Sequence, residues 1–198
     1  MNILFHICCS NCALYPVKIV REEGHDFTGF WFNPNIQPYE EYELRLNSLK
    51  GLSERLRIEM IYNEDSNQNP TLTPFDVSVS HSSKGEIKER CKSCYMLRLR
   101  KTAEEAQIQG FDAFSTTLLI SPYQDFQQIV SIGSELAGRY NVLFYLKDFR
   151  QYFREAMALA RKIGLYRQKY CGCIPSREER FNKIQNSTLN HVQGKCKL

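Results

Sequence analysis

The sequence predicts a single-domain α/β protein, a parallel sheet with helices on both faces. Three observations predict it. Short apolar segments of strand length recur along the chain, each followed by a stretch of roughly 10–20 residues with helical periodicity. Strands and helices that alternate in this way belong to parallel sheets. The 198 residues, 42% hydrophobic and 24% charged, suffice for one substantial core.

Taken in order, residues 2–8 read as a buried first strand, with CCSNC as the turn into a helix over 13–23 that Gly24 stops. Residues 27–32 form an aromatic second strand, and NPNIQP follows as a loop stiffened by two prolines. A helix over 39–57 and a short strand over 58–62 come next, then a polar excursion over 63–83. A long helix over 86–109 carries Cys91 and Cys94 and closes at Gly110. Residues 111–119 are strand-like and end in the turn SPYQD. A helix over 123–139, a strand over 142–146 and a helix over 153–163 complete the alternation before the loop YCGC. The expected division is a metal-binding domain over 1–175 and a helical or irregular tail over 176–198. In such sheets ligands bind beyond the carboxyl ends of the strands, where HICCSNC, SPYQD and Asp148 all fall.

Seven of the eight cysteines are clustered: Cys8, Cys9 and Cys12; Cys91 and Cys94; Cys171 and Cys173. Cys196 stands alone in the tail. Cysteines this close in sequence are poor disulfide partners for one another and good ligands for a soft metal. The quartet Cys91, Cys94, Cys171 and Cys173 satisfies a four-thiolate zinc and an iron–sulfur cluster equally. Cys9–Cys12 also has the spacing of a redox dithiol after a strand, although Cys8 would be superfluous there. Three thiols in HICCSNC suit a second metal near the first.

Composition excludes several classes. No segment approaches the ~18–20 apolar residues of a membrane span. The N-terminus lacks a signal peptide's basic start and cleavage site, so a cytoplasmic, reducing location without structural disulfides is expected. No P-loop or dinucleotide glycine spacing occurs. The net charge of +4 is mild. The cations gather near cysteines, with Lys84, Lys88, Arg90, Lys92, Arg98, Arg100 and Lys101 around the second cluster and Arg161, Lys162, Arg167 and Lys169 before the third. A basic rim suits a phosphate-rich partner such as RNA, and a solvated helix face accounts for the same pattern.

The ordered set HICCSNC (6–12), FNPNIQPYEEYELR (32–45), RCKSCYMLRLRKTAEEA (90–106), GFDAFSTTLLISPYQD (110–125), IGSELA (132–137), KDFR (147–150) and GLYRQKYCGC (164–173) resembles the QueH-type, cobalamin-independent epoxyqueuosine reductases. The resemblance implies a Rossmann-like fold of nucleotide-hydrolase (HUP) type. It implies two-electron reduction of epoxyqueuosine to queuosine in the tRNA anticodon loop, a step of queuosine biosynthesis. It implies a [4Fe-4S] cluster, placed on Cys91, Cys94, Cys171 and Cys173, and an adjacent mononuclear iron, placed on Cys8, Cys9 and Cys12. The implied partners are tRNA carrying epoxyqueuosine and an electron donor of reductase or ferredoxin/flavodoxin type, with no membrane. The alternative is a zinc-stabilised tRNA-modifying transferase or RNA-binding module of related fold.

Within that frame Cys8 and Cys9 are catalytic candidates, and Asp148, Tyr170 and His6 are candidate proton donors. Each has a plainer role too: Asp148 pairing with Arg150, His6 satisfied within its strand, Tyr170 packing. Asn33, Asn35, Thr116, Thr117 and Ser121 offer groups to the substrate, against their ordinary use in turns. Arg98, Arg150, Arg167 and Lys169 are candidates for phosphate contact. Tyr15, Phe30, Trp31, Phe32 and Tyr39 are candidates for base stacking, most of them expected to be core.

Overall fold

The computed structural model describes residues 1–63 and 87–182. The polar excursion expected beyond Asn63, and Cys196, lie outside the described residues. Five strands, β1 (Asn2–His6), β2 (Asp26–Trp31), β3 (Glu59–Tyr62), β4 (Ala113–Thr116) and β5 (Leu143–Phe144), form one sheet in the order β3-β2-β1-β4-β5. Every pairing is parallel, with Ile3 opposite Phe27 on one side and Ala113 on the other. The expected parallel α/β architecture is therefore the observed one.

Helices flank the sheet: α1 (Ser10–Glu22), α2 (Tyr39–Leu56), α3 (Ile87–Gln109), α4 (Phe126–Tyr140) and α5 (Phe153–Lys162), with residues 174–182 also helical. Right-handed crossovers send the chain outward from β1 through α1 and α2, then back across the sheet through α3 and α4. The packing agrees: α1 lies against α2 and α5, and α3 lies against α4, β1 and β4. The strand order reverses between β1 and β4, and the crevice beyond their carboxyl ends is the usual ligand position in such sheets. Ile3, Leu4, Phe5 and His6 of β1 are all fully buried, as expected of a central strand covered on both faces. Phe5 stacks on Phe27 with ring centroids 4.5 Å apart.

Two of the boundaries that differ from the sequence reading lie at the site. α1 begins at Ser10, three residues before the expected start, and Cys9 is its extended N-cap residue. Ile7 still donates its N–H to Phe30, but the Cys8 N–H turns to Thr117 Oγ1 at 3.3 Å, and the chain enters the helix at once. Cys12 thus occupies the first turn of α1. Pro16, inside the helix, has no N–H to offer the Cys12 carbonyl. The expected strand over 111–119 stops at Thr116. There the Thr116 hydroxyl accepts the Leu118 N–H at 3.1 Å and caps a 3₁₀ turn, Thr117–Ile120. β5 is also shorter than expected, an edge strand paired only through Leu143 and Phe144.

Candidate metal centre

The local geometry of HICCSNC follows from a strand end running straight into a helix. Cys8, Cys9 and Cys12 have their sulfurs within 4.8 Å of one another. The Cys8 and Cys9 sulfurs are 3.8 Å apart. A tetrahedral ion with metal–sulfur bonds of about 2.3 Å requires neighbouring sulfurs roughly 3.8 Å apart. The trio matches the spacing of a mononuclear site that leaves one position open.

All three are buried. Thiol hydrogen bonds from Cys12 and Cys9 pull the Cys8 pKa well below the ordinary thiol value. For Cys9, the bond with Cys12 works downward, but Cys8 and burial outweigh it and push Cys9 up to about 12. Hydrogen bonding with Cys8 and Cys9, and then burial, raises Cys12 well above the normal value. A cation bound among the three sulfurs would favour the thiolate form of each and displace their protons.

Polar partners aim the sulfurs. Thr117 Oγ1 donates to Cys8 Sγ at 3.6 Å, and Gln168 Nε2 donates to Cys9 Sγ at 2.9 Å. Gln168 Oε1 in turn accepts from Asn11 Nδ2 at 3.1 Å, and the buried Asn11 Oδ1 has no partner among the described residues. Below them, Asn33 Nδ2 donates to the Ile7 carbonyl at 2.9 Å, so its Oδ1 faces His6 Nε2 at 3.3 Å as an acceptor. His6 therefore carries its proton on Nε2, and Nδ1 accepts from the Thr116 hydroxyl at 2.9 Å. Burial, helped by the nearby Arg98 cation, lowers the His6 pKa to about 4. The histidine is neutral and satisfied within its strand.

The second sulfur group is assembled from distant segments. Cys91 and Cys94 lie near the start of α3, and Cys171 and Cys173 on the loop after α5; Cys171 is exposed and the others half-buried. Among the described residues the trio is the group of three or more side chains with metal-ligating atoms all within 4.8 Å; no three of the quartet meet that spacing. The quartet as placed is therefore looser than the trio.

A buried clamp holds the CGC loop. Arg45, its side chain 1% exposed, donates from Nε to Glu41 Oε1 at 2.7 Å. Its Nη1 and Nη2 donate to the carbonyls of Cys171 and Tyr170, both at 2.9 Å. Glu41 Oε2 accepts from Tyr166 at 2.5 Å. The Gly172 carbonyl accepts the Gln37 N–H at 2.8 Å, and the Tyr170 hydroxyl donates to the Gln37 carbonyl at 2.5 Å. Gly172 has φ +138, and a Cβ there would sit 3.2 Å from Ile36 Cγ1, so only glycine fits the turn. Gln124 Nε2 donates to Cys171 Sγ at 3.9 Å while its Oε1 accepts from the Tyr95 hydroxyl at 2.9 Å. Burial pushes Cys94 up to about 12, with Arg98 opposing. Crowding by protein atoms also raises Cys171, although its surface stays open to solvent.

The remaining sequence candidates divide by exposure. Asn33, Asn35, Thr116 and Thr117 are buried and hydrogen-bonded to His6, to Arg98 and to the cysteines. Ser121 Oγ accepts the Tyr123 N–H at 3.3 Å. Asp148 and Arg150 are exposed and paired at 2.6 Å, and that pairing lowers the Asp148 pKa. Arg167 and Lys169 are exposed. Arg98 and Arg90 are buried, so the reading of Arg98 as a phosphate contact is corrected: α3 packs against β1 and β4, and Arg98 is withdrawn from the surface. Tyr39 is 56% exposed, whereas Phe30, Trp31 and Phe32 are core. Tyr15 stacks on Tyr152 and donates to Glu155. Sequence reasoning gave no role to Arg45, Glu41, Gln124 or Gln168. All four lay inside the quoted motifs, but only Gln168 stands near a cysteine in sequence.

Fold and site together define a class: Rossmann-like α/β proteins with clustered cysteines at the sheet's switch point. The family model for epoxyqueuosine reductase QueH matches residues 3–179. The chain belongs to the epoxyqueuosine reductase QueH family, a family of oxidoreductases. It is 35% identical over 185 residues to the epoxyqueuosine reductase QueH of Thermotoga maritima, covering 92% of this chain and 93% of that one. It is 34% identical over 182 residues to that of Dehalococcoides mccartyi, covering 92% and 96%. Against the Helicobacter pylori protein, identity is 40% over 181 residues, covering 86% of this chain and 48% of the other. Among solved structures, the U34-tRNA thiolase NcsA from Methanococcus maripaludis with its [4Fe-4S] cluster shares the fold, with a TM-score of 0.50 and 14% identity over 96% of this chain and 66% of that one. Family membership sets aside the zinc-stabilised transferase and the RNA-binding module. Among the described residues no helix is long and apolar enough to cross a membrane.

Proposed function

We propose that this chain reduces the epoxide of epoxyqueuosine in a tRNA anticodon loop to the alkene of queuosine, with a [4Fe-4S] cluster on Cys91, Cys94, Cys171 and Cys173 and a mononuclear iron on Cys8, Cys9 and Cys12. Two electrons and two protons enter and the epoxide oxygen leaves as water. When bound, the two groups supply electrons singly at low potential beside a Lewis-acidic position. The observation that carries the assignment is the contrast in sulfur spacing, tight in the trio and wide in the quartet.

The chain's own residues then have distinct tasks. Thr117 and Gln168 orient Cys8 and Cys9, as outer partners orient ligands in metal sites. His6, Asn33 and Thr116 fix the strand end that carries them. Arg150, Arg167 and Lys169 on the exposed rim meet tRNA phosphates, with Asp148 holding Arg150 and Tyr39 offering a ring for stacking. Ser121, half-buried after the 3₁₀ turn, offers its hydroxyl to the substrate. Tyr170 and Asp148 act by positioning, since the hydroxyl of one and the carboxylate of the other are already engaged. Protons come from solvent at the open side of Cys171. The protein works in the cytoplasm with a ferredoxin, flavodoxin or reductase as electron donor.

The test is anaerobic reconstitution with ferrous iron and sulfide, then incubation with epoxyqueuosine-containing tRNA and reductant. Nucleoside mass spectrometry is expected to show loss of one oxygen from the modified base. An unchanged nucleoside, with protein that holds its full iron and sulfide, overturns the reading.

A further inference from the structure

Arg98 is an anomaly in charge placement. It is 1% exposed in the middle of α3, and among the described residues it has no carboxylate partner. Its Nε and Nη2 both donate to one neutral atom, Asn35 Oδ1, at 3.0 and 2.6 Å. A guanidinium cut off from water beside only an amide oxygen is strongly disfavoured, so a compensating anion is required. The neighbours that supply it are sulfurs. Burial works against the Arg98 charge, yet Cys94, Cys171, Cys8 and Cys173 outweigh it and raise the guanidinium pKa. The largest of these influences is Cys94 of the quartet. Asn35 extends the contact: while its oxygen accepts from Arg98, its Nδ2 donates to Cys94 Sγ at 3.2 Å.

We propose that Arg98 and Asn35 form a buried relay serving the quartet, Arg98 as counter-cation and Asn35 as its hydrogen-bond arm to Cys94, and that the relay raises the reduction potential of the metal centre those thiolates hold. This rests on the assignment of a metal centre to the thiols. Reduction adds one electron from an external reductant and makes the site one unit more negative. A fixed cation stabilises that more negative state. An N–H directed at a ligand sulfur acts in the same direction by drawing off electron density. Both residues are positioning residues, acting through the sulfurs they face.

The experiment is a mediated redox titration of the anaerobically reconstituted protein, followed by electron paramagnetic resonance, with iron and sulfide counted per chain. Arg98→Met keeps the volume and removes the charge. It is expected to lower the one-electron reduction equilibrium constant at least about tenfold, 59 mV. Arg98→Lys keeps the charge and is expected to stay closer to wild type. Asn35→Asp keeps an acceptor for Arg98, neutralises the cation and deletes the donor to Cys94; it too should lower the constant about tenfold. Should Arg98→Met not fold, as read by circular dichroism, Asn35→Asp decides. Folded Arg98→Met that takes up no iron, with loading restored in Arg98→Lys, also supports the relay. Variants with normal iron and a constant within twofold of wild type overturn this inference alone. A wild-type chain that takes up no iron overturns the metal assignment with it.

Discussion

The two sulfur groups differ in how they are built. The trio comes from five consecutive residues at one strand–helix junction, is buried, and has its spacing set by local backbone. The quartet joins α3 to a loop about 80 residues further on, stands half-open to solvent, and depends on side chains from α2 to hold that loop. A locally encoded site survives small rearrangements of the domain. A site assembled across the chain needs a separate device to hold it, here the Glu41–Arg45 clamp.

The sharpest way to break that contrast is Arg45→Ala. Removing one partner of a buried pair strands Glu41 and is expected to cost about 3–5 kcal/mol in urea unfolding. Iron is expected to be lost from the quartet first, leaving a protein that still binds one metal ion at the trio. Simultaneous loss from both groups would erase the distinction. Cys9→Ser attacks the other side. Turnover should fall by more than the roughly 10–100-fold that loss of an outer partner costs, with tRNA affinity in filter binding unchanged. Gln168→Ala removes the amide donor to Cys9 and leaves the sulfur, so trio metal affinity, measured by competition with a chelator, should weaken about 10–100-fold.

The smallest effect belongs to a control remote from both groups. Glu23, just beyond the far end of α1 and so ~20 Å along the helix from Cys9, pairs with Lys147 and accepts from Tyr145 at 2.5 Å. These partners hold its pKa below the usual carboxylate value. Its contribution is present above the unfolded carboxylate pKa and is lost as pH falls through the depressed folded value. Glu23→Gln should therefore cost only about 0.5 kcal/mol near neutral pH, less in high salt, and nothing in strong acid. Metal content should not move. A change in iron loading there would show that the sulfur groups respond to the fold as a whole.

Much of the architecture was legible because strands and helices write their periods into short windows. Residues 26–32 and 39–57 were placed within a residue or two. The ends at the site were less legible. α1 starts early because the Cys8 N–H leaves the sheet for Thr117, a residue 109 positions away, and β4 ends at Thr116 because its hydroxyl caps the next turn. The Thr116 cap spans only two residues and was masked by the apolar run that follows it, whereas no window around Cys8 contains Thr117. The same reason hid Arg45 and Gln168, whose partners lie 126 and 159 positions distant.

The sequence alone settled the alternation of elements and the tight grouping of Cys8, Cys9 and Cys12, since both depend on spacing along a few turns of backbone. It also carried the family's ordered motifs. Tertiary structure alone decided which polar residues are withdrawn from water. Arg98 reads as one more cation in a basic run, and only the packing of α3 against β1 and β4 turns it into a buried charge facing sulfur. Desolvation is a property of everything around a side chain, and most of what surrounds this one comes from elsewhere in the chain.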